Sequence, residues 1–71
     1  MARRRQVSEG QLYRRVGVAT GVWRVETLRQ DGIGKLHAQL RSLDDPNTTK
    51  TLSAFILGDP KEYELVERER G

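Results

Sequence analysis

Apolar positions along the chain fall in short runs, 11–16, 22–30, 33–43, 50–57 and 62–66, separated by dense punctuation. Gly17 and Gly21 bracket one loop, Asp31-Gly32 marks a second, and Asp44-Asp45-Pro46-Asn47 and Gly58-Asp59-Pro60 supply two more. Five short segments with turn residues at this spacing predict a small all-β fold. Asp31-Gly32 is the residue pair of a two-residue type I′ hairpin, in which both central residues adopt φ > 0. If those two residues form the loop, Gln30 pairs with Ile33, Thr27 faces Leu36, Val25 faces Ala38 and Trp23 faces Leu40. Side chains alternate across a strand, so that register puts the last three pairs, from Thr27–Leu36 to Trp23–Leu40, on one apolar face. The other face receives Glu26 with His37, Arg24 with Gln39, and Val22 with Arg41.

A helix competes for one of these segments. Leu36, Leu40 and Leu43 recur at helical spacing among good helix formers. The stretch between Gly34 and Asp44 is short, and the strand reading is preferred. Ser53 before Ala54-Phe55-Ile56-Leu57 is a fit N-cap, which predicts one helical turn before the last strand. The expected core is Leu12 or Tyr13, Trp23, Val25, Leu36, Ala38, Leu40, Leu52, Phe55, Ile56, Tyr63 and Leu65.

The order strand, glycine loop, long strand, tight turn, strand, helical turn, final strand rests on Gly10-Gln11-Leu12-Tyr13, Gly21-Val22-Trp23-Arg24-Val25 and Tyr63-Glu64-Leu65-Val66. It resembles the small five-stranded SH3-like barrels, and among them the KOW and Tudor-type modules. That resemblance implies a non-catalytic module that binds nucleic acid or protein; a fold alone does not assign chemistry.

Length and charge then sharpen the picture. A chain of 71 residues allows one domain with a thin core, expected over residues 10–67. Residues 1–9 read as a flexible basic tail and 68–71 as a frayed end. No apolar run approaches the length of a membrane span, and no cysteine is present, which fits a cytoplasmic protein without disulfides or thiolate metal sites. The net charge of +3 is unevenly distributed. Residues 1–41 carry nine Lys and Arg against three acids, whereas residues 42–71 carry four against seven.

Signatures of catalysis and of cofactors are missing from the pattern. His37 is the only histidine and lacks companions for a metal site or a nucleophile relay. Gly32-Ile33-Gly34-Lys35 lacks the first glycine and the hydroxyl residue of a phosphate loop. Asp44-Asp45-Pro46-Asn47 lacks the alternating ligands and closing Glu of a calcium loop. Expected catalytic residues, metals and cofactors are therefore none. One constellation remains. A hairpin pairing Val16 with Val22 sets Arg14 opposite Arg24, on an outer face with Lys35, His37, Gln39 and Arg41 and the single acid Glu26. With Arg3, Arg4 and Arg5 alongside, that face would suit a phosphate backbone. The expected partner is nucleic acid; the alternative is a protein, with this chain an interaction module or a small subunit of an assembly.

Overall fold

The computed structural model describes residues 5–66. Five strands form one antiparallel sheet: β1 (Leu12–Arg15), β2 (Val22–Gln30), β3 (Leu36–Ser42), β4 (Thr49–Ser53) and β5 (Tyr63–Val66). A single helical turn, α1 (Ala54–Leu57), joins β4 to β5. The spatial order is β4-β3-β2-β1-β5, which leaves β4 and β5 as edges with no ladder between them. The all-β class, the five strands and the turn before the last strand are as predicted. Residues 36–42 are strand rather than helix.

The β2–β3 hairpin forms, but in a different register. Gln30 pairs with Leu36 rather than with Ile33, because Asp31 closes a five-residue loop in place of a two-residue one. Its Oδ1 accepts the backbone N–H groups of Ile33 and Lys35, both at 2.9 Å. The backbone N–H of Asp31 donates to the Lys35 carbonyl at 2.8 Å. Gly34, not Gly32, takes the positive φ, at 87°. A bulge between Val25 and Thr27 adds a second shift. The extra residue, Glu26, reverses the alternation, so Val25 and Leu28 both reach the core and Thr27 faces solvent. Val25 accordingly faces Leu40, Trp23 faces Ser42, and Thr27 faces Gln39.

Val7, Tyr13, Val25, Ala38, Leu40, Leu57 and Tyr63 form the buried core, with Trp23, Leu28, Leu52 and Ala54 packed against it. Four residues assigned to the core from sequence lie at the surface instead: Leu36, Phe55, Ile56 and Leu65. The helical turn explains two of these. Ser53 Oγ accepts the Phe55 N–H, as an N-cap does. One turn can direct only part of its circumference inward, and the buried residue is Leu57. Phe55 and Ile56 therefore face outward.

Residues 5–9 are not a free tail. Val7 is buried in the core. The Arg5 N–H donates to the Gly58 carbonyl at 3.0 Å, and Arg5 Nη1 donates to the Tyr63 carbonyl at 3.2 Å. Glu9 Oε2 accepts the Leu28 N–H exposed beside the bulge, at 3.2 Å. This arm lies against the turn that ends α1. Arg3, Arg4 and residues 67–71 lie outside the described residues.

Although β4 and β5 share no ladder, the sheet curls enough for a side chain to cross between its edges. Lys50 of β4 sits with Nζ 4.2 Å from the Trp23 ring centroid and 5.7 Å from that of Tyr63. It also approaches the Tyr63 hydroxyl at 3.4 Å.

Candidate functional site: a basic sheet face and an apolar groove

The outer face of the sheet carries Arg14, Arg24, Arg29, His37 and Arg41. Each neighbours an inward residue in sequence: Tyr13, Val25, Leu28, Ala38 or Leu40. The ladders do not juxtapose Arg14 and Arg24. Arg14 lies opposite Val22, and Leu12 lies opposite Arg24, because the first hairpin pairs two positions away from the expected register. Arg24 instead faces Arg41 across β2 and β3. That like-charge pair is held by the bulge residue. Glu26 Oε2 accepts from Arg41 Nε at 2.8 Å and from Arg24 Nη2 at 3.4 Å.

Other carboxylates reach the face from elements distant in sequence. Arg14 Nε donates to Glu64 Oε2 on β5 at 2.7 Å. His37 Nε2 lies 2.9 Å from Asp31 Oδ2, so its partner is the loop aspartate and not Glu26. Arg41 also donates to the Pro46 carbonyl. Glu26 was thus one acid of three on this face. Lys35 does not belong to it, since it lies in the β2–β3 loop, and Arg5 lies in the arm. The residues read from sequence as one basic site are therefore divided among the sheet face, a loop and the arm.

The ion pairs set an acid dependence. The hydrogen bond from Arg41 holds the Glu26 carboxyl below its ordinary range, and in return raises Arg41. The His37 contact, helped by the Lys35 N–H, lowers Asp31 in the same way. A carboxylate with a depressed folded pKa stabilises fully above its unfolded value, about 4. That contribution disappears as pH falls through the lower folded value. Replacing Glu26→Gln should therefore flatten the acid limb of a plot of urea midpoint against pH below about 4.5. An acid limb identical to that of the parent would show that the Glu26 pairs carry no net stabilisation.

A second feature was invisible from the pattern. A groove of about 880 Å³ runs beside α1, lined by Val7, Leu28, Leu36, Ala54, Phe55 and Ile56, with Arg5, Gln6, Lys35 and Ser53 completing it. Phe55 is 65% exposed, Ile56 42% and Leu36 37%. The signal that could have revealed it is the length of the helical turn. Four residues cannot bury Phe55, Ile56 and Leu57 together, so an exposed apolar pair was implied wherever Ser53 capped a helix.

Among the described residues, no group of three or more His, Asp or Glu side chains is placed to hold a metal ion. No helix among them is long and apolar enough to cross a membrane. No protein-family profile, curated protein or solved structure matches the chain.

Proposed function

We propose that this chain is a non-catalytic protein-interaction module of the SH3-like barrel type, and that its contact surface is the groove beside α1. The barrel reading is supported by the order of elements and by the curl that lets Lys50 of one edge reach Tyr63 of the other. One observation carries the functional reading. Leu36, Phe55 and Ile56 leave apolar side chains exposed together along one groove, and a contiguous apolar patch on a small protein marks an interaction surface. The hydrophobic contribution scales with the area removed from water, roughly 25 cal/mol per Å², so aromatic and branched side chains in a concave setting are effective anchors.

Nucleic-acid binding stands as a second reading, favoured by one observation. The outer face holds four arginines against three carboxylates, and Arg29 has no carboxylate partner among the described residues. The ion pairs weaken this reading, because a phosphate must displace a carboxylate already in place.

Two titrations decide between them. The interaction module should retain peptides from a displayed random library and release them when Phe55→Glu is introduced. It should also show no salt-steep affinity for mixed RNA and DNA. Salt-steep nucleic-acid binding that survives Phe55→Glu and is lost in an Arg24→Ala, Arg29→Ala double variant would replace the module by the second reading.

A further inference from the structure

We infer that the groove takes a short segment of another protein in which a few apolar residues are flanked by carboxylates; this rests on the interaction-module reading. The groove is apolar along its floor but not neutral. Among the described residues its only charged lining side chains are Arg5 and Lys35, and no carboxylate of theirs lines it.

The topology separates those two cations along α1. Lys35 precedes Leu36 at the start of β3, and the next residue, His37, pairs with Ser53, the N-cap of α1. Arg5 bonds through its backbone to Gly58, the C-cap. One cation therefore stands toward each end of the helical turn. Among the described residues the Arg5 guanidinium meets uncharged groups, the Tyr63 carbonyl and, at 5.9 Å, the Tyr13 ring. Neither Arg5 nor Lys35 has a carboxylate partner among the described residues, whereas Arg14, Arg24 and Arg41 each do.

A ligand that covers the groove removes water from both cations. A neutral apolar segment leaves them without compensation, and a basic one adds repulsion. Carboxylates at its two ends supply the missing partners, giving complementarity and a faster encounter. From Ser53 to Gly58 a helical path covers about 8 Å. An extended chain advances about 3.3 Å per residue, so the acids should bracket roughly two to four apolar residues. The chain's own acidic segment around β5 is a poor occupant in a second copy. Glu64 of β5 and Glu62 just before it are already bonded to Arg14 and Arg15, at 2.7 and 3.8 Å.

The test is the composition of what the full chain selects from a displayed random peptide library at low salt. Enriched sequences should carry acidic residues on both sides of an apolar stretch. A synthetic peptide of the enriched sequence should bind roughly three- to tenfold more weakly to Lys35→Glu, while Lys35→Arg binds as the parent does. Replacing the peptide's own acids by amides should weaken it similarly, a readout independent of how any protein variant folds. Enriched peptides that are apolar but uncharged, or basic, and that Lys35→Glu retains overturn the acidic partner and leave the module standing. Peptides that Phe55→Glu does not release, or no enrichment at all, overturn the module itself. Concentration-dependent self-association in sedimentation, abolished by Phe55→Glu, would assign the groove to a second copy and overturn a foreign partner.

Discussion

Tyr13→Ala should bring this domain close to unfolding. Tyr13 is fully buried on β1, between Trp23 on β2 and Leu65 on β5. Its hydroxyl donates to Gln11 Oε1 at 2.8 Å, and Arg5 lies over its ring. Truncating a buried aromatic side chain to Ala removes about 3–5 kcal/mol, against a total of only about 5 kcal/mol expected for the smallest domains. Tyr13→Phe keeps the ring and loses only the hydroxyl bond, so it should cost about 1 kcal/mol. The two variants thus separate packing from hydrogen bonding. Urea denaturation followed by tryptophan fluorescence reports both, since Trp23 packs against the same core. An alanine variant with nearly the parent's midpoint would mean that β1 contributes little to the cooperative unit.

Gly58→Ala should release the N-terminal arm. The Gly58 backbone is ordinary in φ, at −81°, so conformational freedom is not the reason for glycine here. Space is the reason. A Cβ at this position would stand 2.5 Å from the Arg5 carbonyl oxygen and 3.3 Å from that of Ala54. Both obstacles are backbone, so either the turn or the arm must move. Overpacking of this kind costs about 1–3 kcal/mol. The start of the arm is the freer of the two, because at Arg5 one backbone bond and the Arg5 side chain hold it, and Val7 anchors it only further along. Amide exchange at Arg5 and Val7 should accelerate in the variant while β3 keeps its protection. Unchanged exchange in the arm, with uniform loss across the sheet, would place the strain in α1 instead.

The segments and their type were legible because turn residues and alternation are local properties. Register was not, because it turned on two devices that sequence pattern does not distinguish. Asp31-Gly32 fits a two-residue turn as well as it fits the start of a longer loop. Only the side-chain bonds of Asp31 to Ile33 and Lys35 decide between them. Glu26 gives no sign of being the extra residue of a bulge, yet it exchanges Thr27 for Leu28 on the inner face. The basic surface failed to assemble for a related reason. Its positions were read along the local chain, whereas Glu64, which occupies Arg14, arrives from 50 residues away. Val7 was missed because one apolar residue among polar neighbours has no period, and its burial depends on tertiary packing of the arm that passes Gly58 at Arg5.

Among the described residues β4 and β5 have no strand on their outer sides, and such edges are a hazard for a chain this small, since they present backbone donors and acceptors to a passing strand. Lys50 gives β4 a defence. It is the second residue of that edge strand and its side chain turns inward over Trp23 and Tyr63. A copy stacking its own β4 alongside would extend the sheet and carry a second ammonium toward the same aromatic floor. Cation–π attraction is worth about 0.5–2 kcal/mol for one cation, but it offers nothing to a like charge beside it. An inward lysine on an edge strand is thus a barrier to runaway sheet growth. Here the same ammonium that tethers one edge to the other within the chain also opposes aggregation between chains.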